Sequence, residues 1–238
     1  MATLGIIGSG AIGAGIARLA VAAGHEVIIA NSRGPESLAE LVDELGGRVR
    51  AGEVAEAARS GEIVVLAVPL SAYDALPVDA LDGKVVLSTG NYYPSRDGRI
   101  EDLDSGTTTT AEYEQSLLPG AVIVKAFNNI VAHHIPLLAR PAEAPDRSGL
   151  AVAGDDTDAK RIVSELVSTL GFEPVDAGSL AESWRFEPES GAYTKIYAAD
   201  LNLFAQDHLA DTGTPLLPER LREVLAASYR PDVAGRAF

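Results

Sequence analysis

Residues 3–33 read TLGIIGSGAIGAGIARLAVAAGHEVIIANSR, and this stretch decides the fold. The apolar run from Leu4 to Ile7 predicts a strand, and a glycine-rich loop follows it at residues 8–13. A helix is predicted from that loop to about Ala23, and a second strand from Val27 to Ala30. A strand, a G-x-G-x-x-G loop and a helix in this order are typical of the first βαβ unit of a dinucleotide-binding domain.

Each glycine of the loop has a predicted mechanical role. Gly8 makes the tight turn, Gly10 lets a pyrophosphate approach the backbone, and Gly13 lets the helix pack close to the strand. The pyrophosphate would accept hydrogen bonds at the helix N-terminus, where free N–H groups and the helix dipole favour negative charge. The alternative is a tight turn without a ligand. We predict that the whole loop binds the cofactor through Gly8, Ser9, Gly10, Ala11, Ile12 and Gly13.

The residues that follow the second strand indicate whether the cofactor is NADP or NAD. NAD-binding units usually place an acidic residue there, which accepts a hydrogen bond from the ribose 2′-hydroxyl. This chain has Asn31, Ser32 and Arg33 instead, and its next acidic residue is Glu36. A hydroxyl and a guanidinium suit a 2′-phosphate, which a carboxylate would repel. These residues predict NADP(H) as the cofactor, although a solvated arginine in a surface loop would give the same pattern.

The composition excludes several classes of protein. The 238 residues carry a formal net charge of −15 and no cysteine. An acidic chain lacks the basic footprint that nucleic acids and anionic membranes attract, and thiol or iron–sulfur chemistry needs cysteine. No signal peptide is apparent, and no run of about 20 apolar residues could span a membrane. We expect a soluble, cytoplasmic protein whose partners are small-molecule redox cofactors, with no nucleic acid and no membrane.

Strand and helix patterns alternate through the first half of the chain. Further strands are predicted around Val49, from Glu62 to Val68, from Lys84 to Ser88 and from Ala121 to Ala126. The resulting order βαβαβαβ predicts an α/β protein with a Rossmann-type, doubly wound parallel sheet.

The polar, proline-containing segment from Arg140 to Ser148 is the predicted boundary between two regions. Residues 1–140 would form an NADP-binding Rossmann domain. Residues 141–238 would form a small C-terminal α/β extension with a tail, which we expect to contribute to dimerisation and to the acceptor site.

The candidate nicotinamide site follows from the predicted topology. Ligands of open α/β sheets bind beyond the carboxyl ends of the strands. Asparagine side chains at such positions can orient a carboxamide or a planar heterocycle, although each of them could equally cap its own loop. The residues predicted to surround the nicotinamide follow the fourth, fifth and sixth strands: Val68, Pro69, Tyr73, Asn91, Ala126 and Asn128.

Asn128 and His134 are the predicted catalytic residues. His133 and His134 follow the sixth strand, and one of them could relay a proton, but a surface histidine would give the same pattern. Lys125 could be a site cation or an ion-paired lysine. No Ser–His–Asp order and no metal-ligand spacing is present, so no metal is predicted. Hydride transfer between a nicotinamide and a flavin-like ring needs mainly stacking and orientation, whereas carbonyl reduction also needs a proton donor.

Several segments together form an uncommon combination of motifs. They are residues 8–13, Asn31-Ser32-Arg33, Val124-Lys125-Ala126-Phe127-Asn128, Ala153-Gly154-Asp155, Ala159-Lys160-Arg161 and the GFEPVDAGSL run at 171–180. Through them the chain resembles the NADPH-dependent reductases of the deazaflavin coenzyme F-420 and the related oxidoreductase domain of the six-transmembrane metalloreductases. The resemblance covers residues 3–185. It implies NADP(H) in the crevice, a deazaflavin (coenzyme F-420) or a flavin (FMN or FAD) over the nicotinamide, direct hydride transfer and a homodimer.

The loop from Asn91 to Gly106 and the tail after Lys195 depart from the minimal pattern of the reductases. Basic residues that could bind the acidic tail of coenzyme F-420 are scattered: Arg96, Arg99, Arg140 and Arg147.

The leading hypothesis is an NADP(H)-dependent oxidoreductase that exchanges hydride with a deazaflavin or flavin. One alternative is an NADP-dependent dehydrogenase of a small carbonyl or imine, with His133, His134 or Lys125 as proton donor. The other is a non-catalytic NADP(H)-binding regulator whose loop and tail dock a protein.

Overall fold

The strands of the protein form one sheet in the computed structural model, which describes residues 1–236. Residues 237 and 238, the last two of the predicted C-terminal region, lie outside the described residues. In chain order the strands are β1 (Thr3–Ile7), β2 (Glu26–Ala30), β3 (Val49–Ala51), β4 (Ile63–Leu66), β5 (Val85–Ser88), β6 (Val122–Lys125), β7 (Gly149–Gly154) and β8 (Glu173–Asp176).

The sheet order is β3-β2-β1-β4-β5-β6-β7-β8. The first six strands run parallel, β7 is antiparallel to β6, and β8 is parallel to β7. The strand order reverses between β1 and β4, which makes that junction the switch point where open α/β sheets bind ligands. The predicted Rossmann-type fold is confirmed.

Helices cover both faces of the sheet, which is why its central strands are apolar on both sides. The α-helices are α1 (Ala11–Ala22), α2 (Ala39–Leu45), α3 (Val54–Ser60), α4 (Val78–Leu81), α5 (Pro94–Asp97), α6 (Glu101–Asp104), α7 (Thr110–Leu117), α8 (His134–Leu138), α9 (Thr157–Thr169), α10 (Leu201–Gln206) and α11 (Pro218–Ala226). Segments of 3-10 helix lie at Pro35–Leu38, Leu70–Ala75, Leu180–Phe186 and Thr194–Tyr197. No helix within residues 1–236 has both the length and the apolar character that a bilayer crossing requires.

Capping residues define the starts of two of the helices. Thr109 accepts a hydrogen bond from the Glu112 N–H, and the Glu112 side chain returns to the Thr109 N–H, so α7 begins with a capping box. Asp156 caps α9 by accepting from the Ala159 N–H.

The segment after β6 differs from its prediction. The sequence from Ile130 to Ala139 predicts a helix broken by Pro136, but α8 contains only His134–Leu138. The preceding residues are held in an irregular path, because the amide of Asn128 donates to the Phe186 carbonyl and that of Asn129 donates to the Ala192 carbonyl. Phe127 begins this path with a positive φ of 59°. These contacts to the C-terminal region outweigh the local helical pattern.

The C-terminal region continues the sheet across the boundary predicted at residue 140. Strands β7 and β8 extend the sheet beyond β6, and α11 packs against them. One hydrophobic core includes both Leu4 of β1 and Leu150 of β7. The segment predicted as a long loop, from Ser95 to Gly106, contains most of α5 and all of α6.

Candidate active site

A crevice opens beyond the carboxyl ends of the parallel strands, at the switch point, and it consists of two adjoining cavities. The β2 cavity, of about 520 Å³, lies between the glycine loop and the end of β2. The β6 cavity, of about 480 Å³, lies beyond the ends of β5 and β6. Gly10, Ala67, Val68 and Pro69 line both cavities, so the two are halves of one site.

The glycine loop has the geometry that its sequence predicts. Gly8 has a φ of +111°, and a Cβ there would lie 2.2 Å from the Ala67 carbonyl oxygen. A Cβ on Gly13 would lie 1.9 Å from the Gly8 carbonyl oxygen, so only glycine allows this packing. A Cβ on Gly10 would meet nothing within 4 Å, because this residue faces the open crevice. Gly10 is also the N-cap of α1 and provides no side-chain cap, which leaves the helix N–H groups to a ligand.

The residues after β2 have two different roles. The Asn31 amide donates to Ser9 Oγ (2.9 Å) and to Ser37 Oγ (3.0 Å), and its oxygen accepts from the Arg33 N–H (2.8 Å), so Asn31 organises the loop. Ser32 and Arg33 are exposed and line the β2 cavity. No carboxylate in the described part of the chain lies within ion-pair distance of Arg33. This guanidinium therefore suits a 2′-phosphate.

Two asparagines join the ends of β5 and β6 on the wall of the β6 cavity. The Asn91 amide donates to the Asn128 carbonyl (2.9 Å), and the Asn128 amide donates to the Asn91 side-chain oxygen (3.2 Å). The side-chain oxygen of Asn128 is buried and has no hydrogen-bond partner within residues 1–236. A ligand donor, such as the amide of a nicotinamide, would satisfy this oxygen.

Of the residues predicted to surround the nicotinamide or to act in catalysis, three lie outside the crevice. Tyr73 is buried in the core below it, where burial raises the pKa of its phenol. Ala126 is also buried and does not line either cavity. His134 is fully buried, with Nε2 2.9 Å from the Asp211 carbonyl oxygen and 3.2 Å from the Asp211 carboxylate. Burial lowers the pKa of His134, so this side chain is a structural imidazole rather than a crevice acid.

The other two candidate proton donors are also engaged in structural contacts. His133 lines the β6 cavity, but its Nε2 lies 2.9 Å from the Asp211 carbonyl oxygen and its Nδ1 is buried. Lys125 is fully buried and donates to the Gly90 carbonyl at 2.6 Å. None of the three side chains considered as proton donors presents a free nitrogen to the crevice.

The C-terminal region supplies a wall of the β6 cavity whose individual residues the sequence did not single out. Tyr193, Thr194, His208 and Leu209 line the β6 cavity. These residues follow no motif and no strand end, so only their aromatic and polar character could have drawn attention to them. The scattered arginines do not converge on this cavity, since only Arg96 of the four lines it. Arg99 donates to the Ala234 carbonyl, and Arg140 donates to the Asp146 carboxylate. Arg147 donates to the carbonyls of Ser168 and Phe172.

The family described as "NADP oxidoreductase coenzyme F420-dependent" matches residues 3–92. The F420-dependent NADP reductase of Methanothermobacter marburgensis is 30% identical over 229 residues, which cover 89% of this chain and 97% of that protein. The chain belongs to this family of NADP-dependent oxidoreductases. Its match to the reductase extends through the C-terminal region, well beyond the glycine loop.

Two further relatives match about three quarters of this chain. Metalloreductase STEAP3 of Rattus norvegicus is 35% identical over 189 residues, and these cover 77% of this chain but only 35% of that protein. A solved structure of a protein from Arthrobacter sp. FB24, described as an F420-dependent NADP reductase, superposes with a TM-score of 0.64 at 25% identity. The superposition covers 77% of this chain and 87% of that one.

Proposed function

We propose that this protein transfers a hydride between NADPH and a deazaflavin (coenzyme F-420) or a flavin. The observation that carries the proposal is the joining of the β2 and β6 cavities at Gly10, Val68 and Pro69. A dinucleotide with its pyrophosphate at Gly10 and its 2′-phosphate at Arg33 would extend its nicotinamide into the β6 cavity.

The walls of the β6 cavity support a planar hydride acceptor. Tyr93 and Tyr193 contribute aromatic side chains, and Asn91 and Asn128 contribute amide groups. The cavity volume of about 480 Å³ lies in the range of ligand sites, roughly 300–1,000 Å³. A hydride exchange between two stacked rings depends on position and orientation, which rigid strand ends provide.

The hydrogen bonds that His133, His134 and Lys125 make to backbone carbonyls also favour a ring acceptor over a small carbonyl or imine. Reduction of such a substrate needs a group that delivers a proton in the transition state. The nitrogens of these three side chains are hydrogen-bonded to backbone carbonyls or buried. A deazaflavin or flavin can take its proton from water after the hydride has arrived.

The experiment follows NADPH oxidation by the nicotinamide absorbance, with coenzyme F-420, FMN and FAD supplied separately and NADH as the control reductant. We expect rapid oxidation of NADPH with one of these acceptors and slow oxidation of NADH. Turnover of a small carbonyl or imine in the absence of these acceptors would overturn the proposal in favour of a dehydrogenase. NADPH binding without turnover of any acceptor would favour a binding regulator.

We further propose that the protein works as a homodimer, as its resemblance to the reductases implies. Leu201, Leu203 and Leu209 expose apolar side chains on and after α10, and Leu209 also lines the β6 cavity. Light scattering of the purified protein measures the oligomeric state directly, and a monomeric mass would contradict this proposal.

A further inference from the structure

Two fully buried ionisable side chains, those of Glu114 and Lys125, converge on Gly90, which lines the β6 cavity. Ser88 Oγ accepts a hydrogen bond from the Gly90 N–H at 3.0 Å and donates its own hydrogen to the Glu114 carboxylate at 2.7 Å. Lys125 Nζ donates to the Gly90 carbonyl oxygen at 2.6 Å. Both peptide groups of Gly90 are therefore held by side chains inside the protein.

The Glu114 carboxylate also explains why residue 90 is a glycine. A Cβ on Gly90 would lie 1.9 Å from Glu114 Oε1 and 3.2 Å from Ser88 Oγ. Gly90 is not among the glycines with a positive φ, so the close approach of the carboxylate, and not the backbone conformation, requires glycine here. Glu114 thus packs directly against the backbone that lines the cavity.

This carboxylate is costly to bury. Its only hydrogen bond among residues 1–236 comes from Ser88, and Glu114 Oε1 has no partner among the same residues. Glutamate and lysine are rarely buried completely, and a buried polar atom without a partner lowers stability. A buried group of each sign, both directed at one glycine of the cavity wall, therefore indicates a role other than stability.

The segment that these groups hold forms part of the wall of the β6 cavity. Thr89, Gly90 and Asn91 all line this cavity, and Asn91 forms hydrogen bonds with Asn128 across the ends of β5 and β6. A shift of Gly90 would therefore move Asn91 relative to any ring in the cavity. Hydride transfer is sensitive to such a shift, because a misplacement of about 1 Å can cost roughly 100-fold in rate.

We propose that Glu114 is a positioning residue of the β6 cavity, which acts through Ser88 and Gly90 to fix the loop that follows β5. This inference rests on the proposed function, in which the nicotinamide and the acceptor ring meet in that cavity. Glu114 contacts neither ring and transfers no proton. A displaced wall alters the orientation of the two rings more than their affinity, so the effect is expected mainly in kcat.

The test follows NADPH oxidation with coenzyme F-420, FMN and FAD in four variants. Glu114→Leu removes both carboxylate oxygens, Ser88→Ala removes the hydroxyl that Glu114 holds, and Glu114→Gln keeps an oxygen that accepts from Ser88. Ser116→Ala, at an exposed position of α7, is the control.

We expect kcat per folded molecule to fall roughly tenfold in Glu114→Leu and in Ser88→Ala, the worth of a hydrogen bond to a charged group. Glu114→Gln should lose at most about threefold, because its amide oxygen still accepts from Ser88. The KM of the acceptor should change less than about threefold in every variant. Urea denaturation gives the folded fraction of each protein, so a loss of stability alone would leave kcat per folded molecule unchanged.

The double variant Ser88→Ala/Glu114→Leu tests whether the two residues act along one path. We expect its kcat to equal that of either single variant, whereas independent effects would multiply to roughly 100-fold. Multiplied losses, equal losses in Glu114→Gln and Glu114→Leu, or equal kcat in Glu114→Leu and Ser116→Ala would overturn the inference.

A binding measurement separates this inference from the proposed function. Wild-type protein that oxidises NADPH with none of the three acceptors would contradict the proposed function. Calorimetry with NADP⁺ and with adenosine 2′,5′-bisphosphate, which lacks the nicotinamide half and should occupy only the β2 cavity, then decides the inference. In Glu114→Leu and Ser88→Ala we expect the affinity for NADP⁺ to fall about threefold relative to that for the bisphosphate. An unchanged ratio of the two affinities in both variants would overturn the role of Glu114.

Discussion

The two halves of the crevice are built in different ways. Half of the residues that line the β2 cavity belong to the glycine loop and the end of β2, which form one continuous stretch of about 30 residues, and the other half lie within residues 54–76. The β6 cavity combines the ends of β4, β5 and β6 with Tyr193, Thr194, His208 and Leu209 from the C-terminal region. The nucleotide is thus expected to bind a local backbone motif, whereas the acceptor depends on side chains that only the folded chain brings together.

The largest effect is expected from Gly13→Ala, which tests the backbone motif. The new methyl group would collide with the Gly8 carbonyl oxygen, so the loop or α1 must move. We expect a loss of about 3 kcal/mol of unfolding free energy, as for other overpacked sites. Urea denaturation followed by circular dichroism measures this loss.

Gly10→Ala is the matched variant, because its methyl group meets no protein atom within 4 Å. We expect its unfolding free energy to stay within about 0.5 kcal/mol of wild type, while NADPH binding weakens as the methyl group occupies space needed by the pyrophosphate. Unchanged NADPH binding in Gly10→Ala would contradict the placement of the pyrophosphate.

Arg33→Ala is expected to have the next largest effect, and it tests the 2′-phosphate site. Removal of one charge-assisted contact should weaken NADPH binding by about 1.5 kcal/mol, roughly tenfold, and leave NADH binding unchanged. Isothermal titration calorimetry with both cofactors measures the difference. Arg220→Ala, which removes an exposed arginine paired with Glu223 on α11, is the control. An equal loss for NADPH and NADH would show that Arg33 does not contact the 2′-phosphate.

Asn91→Ala tests whether the hydrogen bonds within the wall of the β6 cavity contribute to turnover of the acceptor. The substitution removes the donor to the Asn128 carbonyl and to Tyr193 Oη. We expect kcat/KM for the acceptor to fall roughly fivefold, equivalent to about 1 kcal/mol. NADPH binding through the β2 cavity should persist. Asn202→Ala on α10 is the control, since Asn202 is exposed. A decrease confined to NADPH affinity would place Asn91 on the nucleotide side instead.

The smallest effect is expected from mild acid, and it tests the buried position of His134. Burial lowers the pKa of His134 below its ordinary value of 6.5, so the unfolded chain binds a proton more readily than the folded one. Stability is therefore present in full above pH 6.5 and decreases as pH falls from there through the lowered pKa. Denaturation curves across this window should show the decrease in wild type and a flatter profile in His134→Asn. An identical pH profile for both proteins would exclude His134 as its source.

The sequence was sufficient for the local parts of the structure. Alternating apolar runs and helical segments predicted the parallel sheet, and the glycine spacing predicted the turn into α1. These features depend on neighbours a few residues apart, such as a glycine and the next turn. The positions of Ser32 and Arg33 followed because the end of β2 adjoins the glycine loop in any such unit.

Only the tertiary structure decided which side chains line the β6 cavity. Tyr73 and His134 lie at the expected ends of elements but point into buried contacts, while Tyr193 reaches the cavity from residues far along the chain. The physical reason is that side-chain direction here depends on long-range partners, such as Asp211 for His134 and Tyr93 for Tyr193. The glycine loop and the end of β2 were therefore determined by a local backbone pattern, and the wall of the β6 cavity by packing between distant segments.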